Sequence, residues 1–218
     1  MYKSLYECEC EFLTRKLPFR ADFEQRVLDD IQKKYRSSER LVYVSQGPGG
    51  FLSDFVIIQK LLAAGYSNLE LVFIEPLLVK NLTILQACLD FKEWWAQQKN
   101  KGKIHVFMSI KEYAAACEQD ENMLGHVFIT IDPDDKKTVP NFESATFRKK
   151  FGRMAKNILH PEATFYYLYF QKVAGNPYRH MIIGQIQEKC ILLDHWFGVE
   201  TFEKKHIANY PLSSSRSL

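Results

Sequence analysis

The sequence predicts an α/β domain: a mostly parallel sheet with helices on both faces and an antiparallel hairpin at its C-terminal end. Three observations predict it. Strand-like and helix-like segments alternate from about residue 22 to 170, and strands separated by helices of about 10–15 residues imply crossovers and parallel pairing. The apolar runs LVYV, LVFI, HVFI and FYYLYF are nearly unbroken, as strands buried on both faces require. The last two strand-like runs, RHMIIGQI and CILLDHWF, have no helical spacer between them, so they read as a hairpin.

The elements follow in order. Phe23, Val27, Ile31 and Tyr35 recur every four residues, with Asp22 near the start, and predict an amphipathic helix. LVYVSQ, ending at Gln46, is the first strand. FLSDFVIIQKLLAAG reads as a helix that Gly65 ends. LELVFIEP is the second strand, stopped by Pro76. NLTILQACLDFKEWWAQQ predicts a helix capped by Asn81. Its apolar positions cover two faces, one with Ile84, Cys88, Phe91 and Trp95 and one with Leu82, Leu85 and Leu89, which predicts a well-buried helix. KIHVFMS, KEYAAACEQ and HVFITIDP read as strand, short helix and strand. ESATFRKKFGRMAKNIL places Phe147, Phe151, Met154 and Ile158 on one helical face, and ATFYYLYF is the fifth strand.

The 218 residues fit one domain: a core over about 20–170, the hairpin over 171–200 and a polar tail over 201–218. Hydrophobic residues make up 46% and charged residues 25%, as in ordinary globular proteins. A net charge of +3 does not by itself imply a nucleic-acid partner. Five cysteines without a CxxC pair point to a reducing, cytoplasmic compartment. The first residues carry acids rather than a long apolar core, and no stretch approaches the roughly 20 apolar residues of a membrane span.

The first strand-to-helix turn carries the candidate site. Ser45-Gln46-Gly47-Pro48-Gly49-Gly50 stands where open parallel sheets bind ligands, and glycine there lets backbone approach a ligand closely. Glu75 closes the second strand, where an acid can accept hydrogen bonds from a ribose diol. The third position of a dinucleotide fingerprint is Leu52, which argues against NAD and against a pyrophosphate cradle, and no P-loop motif occurs. A short glycine turn with a later acid suits a nucleoside without phosphates. The other reading is a tight turn that joins strand to helix and holds nothing.

The segment from about Asp22 to Phe170 resembles the class I S-adenosylmethionine-dependent methyltransferases, which are Rossmann-like. The resemblance implies S-adenosyl-L-methionine as cofactor, with Gly47 and Gly49 behind its methionine and ribose portions, Glu75 on the ribose hydroxyls and Ser109 near the adenine. It implies methyl transfer to an acceptor held near Asp132, in the Asp132-Pro133-Asp134-Asp135 motif that closes the fourth strand. The acceptor is then a small molecule or protein rather than nucleic acid. The chain departs from the family at Ser45, where an acid is usual, at Phe51, where a third glycine is usual, at Ser109, where an acid is often seen, and in lacking a helix after the fifth strand. Asp-Pro-Asp-Asp also differs from the Asn-Pro-Pro-aromatic motif of amino-group methylators. These departures leave open a non-catalytic protein-interaction or regulatory module that has lost methyl transfer.

Other candidates are weaker. Arg148, Lys149, Lys150, Arg153 and Lys156 crowd one helix, a solvated face or a patch for an acidic partner. The six histidines have no metal-ligand spacing, so no metal is expected. Asp194 and His195 are strand neighbours that point to opposite faces, which excludes a simple triad. Trp94 and Trp95 read as packing residues.

Overall fold

A computed structural model of the chain describes residues 5–6, 18–99, 102–131, 145–173, 176–187, 190–200 and 208–209. Phe23, Val27 and Ile31, spaced by four, are fully buried and turn one face of α1 (Pro18–Lys34) onto the sheet. After it come β1 (Leu41–Gln46), α2 (Leu52–Ala63), β2 (Leu69–Ile74), α3 (Leu82–Ala96), β3 (Ile104–Phe107) and α4 (Ile110–Gln119). A short 3-10 turn leads to β4 (Gly125–Ile131), α5 (Ala145–Lys156), β5 (Leu159–Val173), β6 (Asn176–Gln187), β7 (Cys190–Glu200) and β8 (Ala208–Asn209).

The sheet order is β3-β2-β1-β4-β5-β6-β7-β8. β1 to β5 pair parallel throughout. β6 lies antiparallel to β5, β7 antiparallel to β6, and β8 antiparallel to β7. The five parallel strands and their flanking helices make a Rossmann-like α/β fold. The chain leaves β1 for β2 and β3 on one side and returns to β4 on the other, so the switch in strand order falls between β1 and β4. The crevice beyond their carboxyl ends is where such sheets hold ligands.

Alternation along each strand divides the core. Tyr43, Leu71, Phe73, Val127 and Ile129 pack under α1, α2 and α3. Val42, Val44, Val72, Ile74 and Phe128 pack on the opposite face, with α4 and α5. Trp94 and Trp95 lie in the first of these layers, as packing residues.

The helix ends follow local chemistry. α2 ends in a Schellman arrangement: the Tyr66 N–H donates to the Leu61 carbonyl and the Gly65 N–H to the Leu62 carbonyl, with Gly65 at φ 89°. Asn81 caps α3 by accepting from the N–H groups of Thr83 and Ile84. The first helix starts at Pro18, earlier than its apolar pattern indicates, and β3 stops at Phe107, which frees Ser109 for another task.

One expectation is corrected. α3 is buried on one face only. Ile84, Cys88 and Phe91 are in the core, but Leu82 is 82% and Leu89 51% exposed. A single sheet face can cover only one side of a helix, and no further layer among the described residues covers the second stripe.

At the opposite end of the sheet, His126 closes a gap in the ladder. The β1–β4 register begins at Tyr43 and Val127. The Val42 N–H, one residue earlier, donates to Nδ1 of His126 at 3.2 Å. The His126 ring stacks on His160, with centroids 5.0 Å apart. Burial, then the positive charges of His160, Arg40 and Lys34, push its pKa down to about 4, so the ring is a neutral acceptor at ordinary pH.

Candidate functional site

β1 delivers the glycine turn to the switch point. Gln46 is in register with Ile74 of β2 on one side and Thr130 of β4 on the other. The Gly47 N–H still donates to the Ile74 carbonyl, at 2.9 Å. The chain then takes left-handed conformations at alternate residues, with φ of 68° at Gly47, 53° at Gly49 and 59° at Phe51. The Pro48 carbonyl accepts from the Phe51 N–H and closes the turn. A Cβ built on Gly47 or Gly49 would meet nothing within 4 Å among the described residues. Backbone is therefore laid bare to open space on this side of the turn.

Gly50 faces the chain instead. A Cβ there would lie 2.2 Å from the Tyr6 carbonyl oxygen, and the Tyr6 N–H donates to the Gly50 carbonyl at 3.1 Å. Glycine at position 50 is thus explained by the close passage of the N-terminal segment.

Phe51 carries the left-handed backbone that a third glycine would adopt without strain. It is the N-cap of α2 and makes no side-chain cap. Its ring is fully buried, 5.0 Å from Phe73 and 5.7 Å from Phe91 between centroids. Packing holds the conformation that the backbone alone disfavours. The ring fills the core beneath α3, and no described residue fills the space over Gly47 and Gly49.

Glu75 turns back onto the glycine turn. Only 3% of the residue is exposed. One carboxylate oxygen accepts the Gly49 N–H at 3.1 Å and the other the Leu77 N–H at 2.9 Å. The acid at the end of β2 and the turn at the end of β1 are thereby joined, although 26 residues separate Gly49 from Glu75.

Asp54, in the first turn of α2, is the residue that sequence reasoning passed over. It is buried and accepts from the Tyr43 hydroxyl at 2.8 Å. The Ser45 hydroxyl and its own backbone N–H also donate to it. An acid is thus present beside Ser45, but it reaches there from the helix. An aspartate just inside the helix that follows a glycine turn was the available signal, since acids favour helix N-termini. Burial raises the Asp54 pKa from 3.8 to about 6, against the lowering effect of those hydrogen bonds, and Glu24 nearby adds to the rise.

Ser109 is the N-cap of α4 and accepts the Glu112 N–H, while the Glu112 carboxylate accepts the Met108 N–H. Its hydroxyl therefore serves the helix. Two hydroxyls near the turn, Ser53 Oγ and Thr130 Oγ1, are buried without a hydrogen-bond partner among the described residues. Asp132 to Asp135 and the side chains of Arg148, Lys149 and Lys150 lie outside the described residues; Arg153 and Lys156 are exposed. Among the described residues no group of three or more His, Cys, Asp or Glu side chains is placed to hold a metal ion. No described helix is long and apolar enough to cross a membrane.

Asp54 and His126 oppose each other in acid. Between about pH 4 and 6, Asp54 is protonated in the fold and ionised in the unfolded chain, so its contribution is lost as pH rises to about 6. Between about pH 4 and 6.5, His126 is neutral in the fold and protonated in the unfolded chain, so stability is lost as pH falls from about 6.5 to about 4. Relative to the unmodified chain, Asp54→Asn is expected to make stability rise more steeply with pH in this window. His126→Asn, which keeps an acceptor for Val42, is expected to make it rise less. Each slope should change by about 1 kcal/mol per pH unit or less. Urea unfolding at several pH values checks both, and parallel slopes in all three proteins would refute the assignment.

No protein-family model matches the chain, and no curated protein matches it in sequence. Solved structures do. A cyclopropane synthase from Mycobacterium tuberculosis is 13% identical with a TM-score of 0.44, over 78% of this chain and 50% of that one. A putative protein-L-isoaspartate O-methyltransferase from Plasmodium falciparum, in complex with S-adenosyl-L-homocysteine, is 9% identical with a TM-score of 0.46, over 88% and 73%. A putative sarcosine dimethylglycine methyltransferase from Galdieria sulphuraria is 9% identical with a TM-score of 0.45, over 74% and 51%. The chain spans about half the length of the first and third. At so remote a likeness nothing about activity passes from these proteins to this chain, and the weight rests on its own geometry.

Proposed function

We propose that the chain binds S-adenosyl-L-methionine over Gly47 and Gly49 and transfers its methyl group to a small-molecule or protein acceptor. The observation that carries this reading is the Glu75 carboxylate held on the Gly49 N–H, beside two glycines open to space. With Asp54 also lying in the first turn of α2, carboxylates already answer the backbone donors and the positive helix end that would hold a phosphate. The turn therefore suits a ligand that brings hydroxyl donors and a positive charge. Each Glu75 oxygen accepts one backbone N–H and has a further lone pair for a ribose hydroxyl. Bound S-adenosylmethionine supplies an activated methyl group on a cationic sulfur, which nearby negative charge favours.

In this reading Gln46, Gly47, Pro48 and Gly49 form the floor of the site and Glu75 its ribose anchor. Ser45 acts through Asp54, Gly50 through Tyr6 and Ser109 through α4, so none of these three needs to touch the cofactor. Asp132, which follows the last residue of β4, orients the acceptor and takes its proton as the methyl group moves. Rate enhancement then rests on alignment of nucleophile, methyl carbon and leaving sulfur.

Calorimetry with S-adenosylmethionine, S-adenosylhomocysteine and NAD tests the reading. The first two are expected to bind in the micromolar range or tighter, about −8 kcal/mol, and NAD not at all. Silence for all three leaves the non-catalytic module as the account of the chain. Radiolabelled methyl donor offered with protein, RNA and small-molecule fractions of a lysate then identifies the acceptor class.

A further inference from the structure

The exit of the glycine turn is held by a segment remote in the chain. The Gly47 N–H on the Ile74 carbonyl fixes the start of the turn, and the Gly49 N–H on Glu75 fixes its middle. At the exit, the Tyr6 N–H donates to the Gly50 carbonyl at 3.1 Å, and Tyr6 forms a parallel bridge with Phe51. Leu5, beside it, is buried in the same apolar layer as Phe51. Burial of Leu5 anchors the contact.

The exit needs such a restraint. Glycines at 47, 49 and 50 give the turn more backbone freedom to lose than other residues would. Phe51 holds a φ of 59°, which persists only where the surroundings over-determine it. Gly50 is not among the residues of positive φ, so its missing side chain answers to Tyr6 alone. A Cβ there would lie 2.2 Å from the Tyr6 carbonyl oxygen and 2.7 Å from its Cγ. A Cβ on Gly47 or Gly49 would meet no described residue within 4 Å, so Tyr6 stands away from the open side. We propose that Tyr6 is a positioning residue: it holds Gly50 and Phe51, and through them keeps Gly47 and Gly49 in their binding conformation before the ligand arrives. This rests on the reading of the turn as the S-adenosylmethionine site. Without the restraint, the cost of ordering the turn falls on the binding step and weakens it.

A double-mutant cycle in the full chain tests this. Tyr6→Pro removes the N–H donor, and Gly50→Ala drives a methyl group into the Tyr6 backbone. Each is expected to lower the melting temperature by about 5 °C. The two together should lower it no further, because both release the same contact. Each should also speed hydrogen exchange at the Gly49 amide and weaken S-adenosylhomocysteine binding by about tenfold, measured by calorimetry well below melting. A contact that serves stability alone would lower the melting temperature and leave affinity and Gly49 exchange unchanged, which overturns the inference. Additive melting losses overturn it too, as does a Gly50→Ala chain that melts like the unmodified one. If the unmodified chain binds no S-adenosylhomocysteine, the reading of the site fails; the melting cycle and Gly49 exchange still decide whether Tyr6 holds the turn.

Discussion

Phe51→Ala is expected to lower stability by about 3–5 kcal/mol, and Phe51→Gly by about 1 kcal/mol less. The first figure follows from removing a fully buried aromatic ring that touches Phe73 and Phe91, the usual cost of truncating such a ring to alanine. The difference follows from the backbone. Position 51 has φ 59°, a conformation that alanine adopts only at a penalty and glycine adopts freely. Ordinarily glycine is the worse replacement, because it loses more entropy on folding. An inverted order therefore reports the left-handed conformation directly. Denaturant unfolding of the three proteins measures it; glycine proving equal to or worse than alanine would show that residue 51 does not hold that conformation.

Glu75→Ala is expected to lower stability by about 3 kcal/mol and to reduce S-adenosylmethionine affinity by about 100-fold. The side chain takes the N–H groups of both Gly49 and Leu77, and hydrogen bonds to a carboxylate are worth about 1.5–3 kcal/mol each. Their loss leaves two backbone donors near the turn without a partner. Glu75→Gln keeps one acceptor oxygen, so its stability loss should be about 1 kcal/mol and its affinity loss about tenfold. Calorimetry below the melting transition of each variant separates the two effects. Normal stability in Glu75→Ala would mean that the acid does not hold the turn. Normal affinity would mean that it does not hold the ribose.

Much of the site was visible in the residues themselves. Glycines at 47 and 49 signal positive φ, and an acid that ends the second strand falls at the carboxyl edge of a parallel sheet whatever the loop between them does. The role of Gly50 was not visible, because it depends on Tyr6, which is far away in sequence and adjacent only in space. Asp54 was missed for a related reason. An acid in a helix's first turn is common, and only its burial against Tyr43 and Ser45 sets it apart. The apolar pattern of α3 shows its two stripes but not that only one of them is covered by the described residues. Periodicity reports which residues share a face, not whether a neighbour covers it.

By itself the sequence determined the order of elements, the parallel run of strands and the place where the chain bares its backbone. These are local matters, set by apolar runs, caps and glycine. Only the tertiary structure decided that Glu75 reaches the glycine turn, that Phe51 fills the core while holding a glycine's conformation, and that no described residue covers one ridge of α3. Each of these rests on distance between segments remote in the chain, and side-chain burial is a property of the neighbours a residue meets after folding.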